Sequence, residues 1–147
     1  MLNIVIKSFE ELTTQELYSV LQLRSEIFVV EQNCAYQDLD DKDQKALHVL
    51  GFKNGNIVAY TRIFKPGDYF VESSIGRVVV AQKERQHKYG YDIMNASIEA
   101  VKDYFNVHKI KIGAQCYLKK FYSNLGFKEI GEEYLEDGIP HIHMLKA

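Results

Sequence analysis

The sequence predicts a mixed α/β sheet covered by helices, in a single domain over residues 1–147. Three observations predict it. Apolar runs of period two alternate with segments of helical period, in the order β, α, β-hairpin, β, α, β, α, β, β. Two of the strand pairs are joined by short turns, Asn54-Gly55 and Glu136-Asp137-Gly138, so part of the sheet must be antiparallel. The chain has 147 residues, 46% of them hydrophobic and 26% charged, which suffices for one core. No repeat, low-complexity stretch or linker divides it.

Residues 2–7 alternate Leu2, Ile4, Ile6 against Asn3, Val5, Lys7 and read as the first strand. Thr13 and Glu16 stand three apart, as the Ncap and N3 residues of a capping box. The helix that follows carries Leu17, Val20, Leu21, Arg24, Phe28 and Glu31 on one stripe. Arg24 and Glu31 flank Phe28 there. They either snorkel from the edge of the stripe or face a polar cleft. Residues 32–46 read as a loop with at most one helical turn, carrying Asp38, Asp40, Asp41 and Asp43. The spaced aspartates lack the glycine and the terminal glutamate of a calcium loop, so no metal is expected from them. A solvated acidic loop and one that attracts a cationic amine fit them equally.

Residues 47–53 and 56–64 form the clearest hairpin. Asn54-Gly55 accepts positive φ at both turn positions, as a type I′ turn requires. That turn pairs Phe52 with Ile57, Leu50 with Ala59 and His48 with Thr61. It sets Val49 and Tyr60 on the other face, followed there by Arg62. Lys65-Pro66-Gly67-Asp68 is a turn, and residues 69–74 are a link. Residues 75–80 are rich in β-branched side chains and read as a buried strand. A basic loop follows. Ile93, Ala96, Ser97, Ala100, Val101 and Tyr104 then mark one face of a helix ending near Phe105. Residues 109–114 read as a strand. Leu118, Phe121, Tyr122 and Leu125 mark a short helix stopped by Gly126. Residues 127–135 and 139–146 are the last two strands.

Bulk properties exclude some functions. A formal charge of −2 gives no basic excess for nucleic acid. No apolar run approaches the roughly 20 residues of a membrane span, and the N-terminus lacks the pattern of a signal peptide. Cys34 and Cys116 read as free thiols, and a cytoplasmic location is expected.

The strand, basic loop and helix start over residues 75–90 carry the chemistry. This layout aims backbone N–H groups and a positive dipole end at one point, with Arg85 and Lys88 beside it. It is suited to a phosphate or diphosphate. It also serves an ordinary βα connection with solvated charges. The triphosphate-loop and dinucleotide glycine patterns are absent.

Two motifs together resemble a known family. Val78-Val79-Val80 followed by Arg85-Gln86-His87-Lys88-Tyr89-Gly90 resembles the acyl-CoA diphosphate loop of the GNAT superfamily of N-acetyltransferases. Lys88 stands where that loop usually has its first glycine. The stretch from Gln115 through Tyr122 to Gly126-Phe127 resembles the second family motif, with Gln115 where Asn is frequent. Leu21-Gln22-Leu23-Arg24, Phe28-Val29-Val30-Glu31-Gln32-Asn33-Cys34, Tyr36-Gln37-Asp38, Gly113-Ala114-Gln115 and Glu136-Asp137-Gly138-Ile139-Pro140-His141 narrow the resemblance to the ElaA-like acetyltransferases.

The resemblance implies a central mixed sheet whose fourth and fifth strands splay, flanked by helices. It implies direct transfer of an acetyl group from acetyl-CoA to a small-molecule or peptide amine, without a metal. Val78, Val79 and Val80 would meet the pantetheine arm. Arg85, Gln86, His87, Lys88, Tyr89 and Gly90 would hold the diphosphate, and Gln115 would make a polar contact. Tyr122 would be the general acid, against the alternative that it packs with Phe121 in the core. Glu31, His141 and, more remotely, Glu72 are candidates for the base, and a water relayed to a carboxylate would serve equally. His141 and His143 share a strand face, a zinc-like spacing without a third ligand. Arg24, Phe28 and Arg62 would shape the acceptor pocket. Cys116 reads as a small thiol rather than an acyl carrier. Many relatives pair, so a homodimer stays open. The same fold also admits a non-catalytic acyl-CoA sensing module.

Overall fold

The computed structural model describes residues 2–147. One seven-stranded sheet runs in the order β1-β2-β3-β4-β5-β7-β6. Its strands are β1 (Asn3–Ser8), β2 (Leu47–Lys53), β3 (Asn56–Phe64), β4 (Ser73–Val80), β5 (Ile110–Gln115), β6 (Lys128–Glu136) and β7 (Ile139–Lys146). Every neighbouring pair is antiparallel except β4 and β5. The α-helices are α1 (Thr14–Arg24), α2 (Tyr89–Phe105) and α3 (Lys119–Ser123).

Local chemistry starts the elements as expected. The Thr13 hydroxyl accepts from the Glu16 amide at 3.0 Å, and the Glu16 carboxylate accepts from the Thr13 amide at 2.9 Å. Asn54 and Gly55 both take positive φ, 53° and 80°. α1 lays Val20 and Leu23 against Leu50, Tyr60 and Val79 on one face of the sheet. α2 lays Ile93, Met94, Ala100 and Val101 against Val49, Ile63, Ile75 and Ile112 on the other. Tyr104, expected on this buried face, is exposed. It shares the angular position of Ile93 but lies in the last turn of α2, which ends at Phe105.

The β2–β3 register departs from expectation. Phe52 pairs with Ile57, but an irregularity between Gly51 and Phe52 sets Leu50 opposite Tyr60, Val49 opposite Thr61 and His48 opposite Arg62. A slip of one residue exchanges the two faces of a strand. Tyr60 thus joins Leu50 under α1 and leaves Val49 to α2, while Thr61 meets Ser97 of α2 at 2.5 Å.

α1 does not stop where its geometry changes. Residues Ser25–Glu31 continue it as a π-helix. The Gln32 and Cys34 amides bond the carbonyls of Ile27 and Val29, five residues back. Such wide turns shift the phase of the side chains and cluster at functional sites. This one keeps Ile27 in the core beneath α1.

The site is made by two irregularities in the centre of the sheet. β4 and β5 pair only at Ser73–Ile110 and Ser74–Lys111 and then part. Along β3, Tyr60 faces Val79 while Arg62 faces Gly76, so β4 carries an extra residue. Arg77 sits in this bulge at φ 49°. A bulge bends its strand and strengthens its twist, which carries β4 away from β5.

Candidate active site

The parted strands open a cleft of about 780 Å³, within the range of small-molecule and coenzyme sites. Residues 75–80 form one wall and Ile112, Gly113 and Gln115 the other. Beyond the two paired residues, the facing edges of β4 and β5 do not pair with each other. Unpaired strand edges present amide donors and carbonyl acceptors to an extended ligand.

One end of the cleft gathers Arg85 and Lys88 at the start of a helix. Residues Gln82–His87 form a 3₁₀ turn, and Lys88 follows at φ 59°, ψ 31° as the residue before α2. The glycine usual at this place in the resembled loop thus answers a left-handed backbone, and Lys88 adopts that backbone at a cost of about 1 kcal/mol. Lys88 offers α2 no side-chain cap, and the Tyr91 amide bonds the Lys88 carbonyl at 3.1 Å; the positive end of the helix dipole favours an anion here. Gly90 lets α2 approach α3 closely: a Cβ there would lie 3.3 Å from the Phe121 ring. Val78, Val79, Val80, Arg85, Lys88, Gly90 and Gln115 all line the cleft, whereas Gln86, His87 and Tyr89 do not. Gln86 and His87 are exposed and Tyr89 is buried. His87 leans on Tyr89 with ring centres 5.1 Å apart.

Tyr122 lies deep in the cleft, with 6% of its surface exposed. Its ring packs edge-on against Phe121 at 5.0 Å. The packing and the acid role expected of Tyr122 are therefore compatible. Its hydroxyl has no hydrogen-bond partner among the described residues. Burial, with a smaller push from Tyr117, holds the phenol well above the ordinary tyrosine range. It is a protonated donor at neutral pH.

His141 also lines the cleft. Its Nδ1 lies 2.7 Å from the Ile139 carbonyl. A carbonyl only accepts, so this contact assigns the ring proton to Nδ1 and leaves Nε2 with a lone pair in the neutral ring. Tyr134 stacks on His141 at 5.7 Å and on His143 at 4.7 Å. Among the described residues no three His, Cys, Asp or Glu side chains converge as metal ligands. Glu72 and His143 do not line the cleft.

Glu31 lines the cleft as well, but its carboxylate is engaged. Both oxygens accept from Arg85, at 2.7 and 2.8 Å. Phe28, one turn earlier, lines the cleft too, as do Tyr36, Tyr69 and Ile139.

Arg24 and Arg62 are placed elsewhere than expected. Both are fully buried and neither lines the cleft. The loop aspartates explain why. Arg24 donates from Nε to Asp38 at 2.8 Å and from Nη1 to Asp43 at 2.8 Å. Arg62 donates to both oxygens of Asp40, at 2.8 and 2.6 Å, and to Asp43 at 2.9 Å. Arg77 pairs with Asp38 at 2.7 Å and donates to its carbonyl at 2.9 Å. Three guanidinium groups thus face three carboxylates. Burial pushes the Asp43 carboxyl up, but the bonds from Arg24 and Arg62 outweigh it and hold the group below the usual carboxylate range. The balance at Asp40 has the same sign, with Arg62 the chief partner. The loop is therefore not a solvated acidic segment. It is pinned to the sheet, and its Asp40, Tyr36 and Gln37 form part of the cleft wall. Sequence reasoning missed this role, and it missed Arg77. The usable signal was the match of three separated arginines with three clustered aspartates in a chain of nearly balanced charge.

Comparison with known proteins agrees with this geometry. The family described as "Acetyltransferase (GNAT) domain" matches residues 10–147. Protein ElaA of Escherichia coli K12 is 44% identical over 138 residues, spanning 92% of this chain and 90% of that protein. The crystal structure of Escherichia coli ElaA superimposes with a TM-score of 0.92 at 40% identity over the whole of both chains. An acyl-CoA N-acyltransferase from Pseudomonas aeruginosa does so with a TM-score of 0.93 at 37% identity, again over both chains in full. The parted β4–β5 pair, the uncapped start of α2 and these matches make the chain an ElaA-like member of the GNAT acetyltransferase family, whose fold serves acyl transfer from acyl-CoA.

Proposed function

We propose that this protein transfers an acetyl group from acetyl-CoA to a primary amine of a small molecule or peptide, by direct attack within a ternary complex. The observation that carries the reading is the unpartnered hydroxyl of Tyr122, protonated and buried inside the cleft between β4 and β5.

The residues divide the work. The free edges of Val78 and Val80 bond the amides of the pantetheine arm, and Gln115 adds a polar contact. Arg85, Lys88 and the positive end of the α2 dipole hold the diphosphate. A main-chain N–H of β4 polarises the thioester carbonyl. His141 takes a proton from the attacking amine at Nε2. The new C–N bond forms, the C–S bond breaks, and Tyr122 gives its proton to the departing sulfur. His141 is preferred to Glu31 as base because the Glu31 carboxylate stands at the diphosphate end of the cleft, 2.7 Å from Arg85, while the Nδ1 bond to Ile139 leaves Nε2 of His141, 3.6 Å from the Glu136 carboxylate, to take the proton.

Tyr122→Phe tests the reading. Removing a general acid lowers kcat by about 10²–10⁴. The affinity for CoA, measured by calorimetry, should change less than twofold, because the hydroxyl bonds nothing else. An unchanged kcat removes the role. A thiol-release assay against a panel of amines tests the activity itself. Tight CoA binding with no turnover of any amine would favour a non-catalytic acyl-CoA module.

A further inference from the structure

Residues 31–34 cross the mouth of the cleft and touch three different elements around it. Glu31 is held by Arg85 of the turn before α2, through two bonds of 2.7 and 2.8 Å. Gln32 exchanges amide hydrogen bonds with Gln115 at the end of β5, at 3.0 and 3.3 Å. The Cys34 thiol donates to the Asp137 carbonyl in the β6–β7 turn at 3.3 Å. The π-helical end of α1 therefore terminates in a strap over the parted strands.

The first of these contacts is the informative one. Arg85 projects from the anion-binding end of the cleft, yet both of its terminal nitrogens are spent on a carboxylate. A carboxylate and a phosphoryl group offer a guanidinium the same paired acceptor oxygens. We propose that Glu31 is a placeholder for the coenzyme diphosphate: its carboxylate occupies Arg85 until the diphosphate displaces it and releases the strap at that side. Glu31 is thus a positioning residue that acts on coenzyme affinity through Arg85. The proposal rests on the coenzyme site described above.

The sign of the effect is what tests it. A residue that merely supports the site weakens binding when replaced, whereas removal of a competing carboxylate strengthens it. Calorimetric titration with CoA at low ionic strength is the measurement, on the wild type, Glu31→Gln, Arg85→Gln and the double variant. The pair is partly exposed, with side-chain accessibilities of 43% for Arg85 and 31% for Glu31. Its loss is therefore worth about a three- to fivefold tighter Kd, and the gain shrinks as salt is raised. Most of the gain must vanish when Glu31→Gln is made in the Arg85→Gln background. Unchanged or weaker binding by Glu31→Gln overturns the proposal, and so does an undiminished gain without Arg85. A misfolded variant cannot mimic the expected result, since misfolding only loses affinity. Failure of the wild type itself to bind CoA would instead overturn the coenzyme site on which the proposal stands.

Discussion

Asp43→Ala is expected to destabilise the whole protein, and the network beneath the cleft gives the size of the effect. One oxygen of Asp43 accepts from Arg24 at 2.8 Å and from Arg62 at 2.9 Å. Both arginine side chains are 1% exposed, and Asp43 is 8% exposed. Its removal leaves three guanidinium groups, those of Arg24 and Arg62 fully buried, facing two carboxylates. Breaking a buried ion pair from one side costs about 3–5 kcal/mol, because the remaining charge stays desolvated. A chain of this length unfolds with an entropy of about 0.3 kcal/mol/K, so the expected fall in Tm is about 10 °C or more. Asp43→Asn keeps an acceptor oxygen at the same place and should fall between the wild type and the alanine variant. Calorimetric melting of the three proteins measures this. CoA titration of the same samples shows whether the cleft wall at Asp40 loosens with it. A fall below about 3 °C for Asp43→Ala would refute the argument, since it would mean that water or another acceptor already serves both arginines.

Two further outcomes are expected. His48 is buried between Tyr60, 2.6 Å from Nδ1, and the Asp43 carbonyl, 2.9 Å from Nε2, and burial pushes its pKa below the ordinary 6.5. The unfolded chain therefore takes up a proton that the native ring refuses. The stability due to His48 is complete above about pH 6.5 and declines as pH falls below it, at up to about 1.4 kcal/mol per pH unit. Urea denaturation across pH 8 to 5 measures the decline, and His48→Gln should flatten it. Lys88→Gly relieves a left-handed backbone at the start of α2, and should raise stability by about 1 kcal/mol in the same urea assay; a loss would show that the lysine side chain contributes more than its backbone costs.

Much of the fold could be read from local chemistry. Thr13 and Glu16 announced the start of α1, because a capping box needs only residues three apart. Asn54-Gly55 announced the β2–β3 turn, because few residues accept positive φ. The parted strands were implied by the resemblance, not by spacing. The expected pairing of Leu50 with Ala59 failed at one irregular step beside Gly51, because a strand period of two conceals an inserted residue. The candidate site divides in the same way. Tyr122, His141, Val78, Val80 and Arg85 were named from motifs and lie on one cleft, while Arg24 and Arg62 were named for that cleft and lie beneath it.

The sequence by itself determined the order of strands and helices, the positions of the turns and the placing of a basic loop before α2. Each depends on residues within a few positions of one another. Only the tertiary structure decided where the charges go. Arg24 meets Asp38 and Asp43, Arg62 meets Asp40 and Asp43, and Glu31 meets Arg85 across 54 positions of chain. The bulge at Arg77 belongs to the same class: Gly76 stands beside it, yet the positive φ falls on the arginine. Coulomb attraction and burial act through space, so a charged residue's partner is fixed by the folded path of the chain and not by its neighbours in sequence.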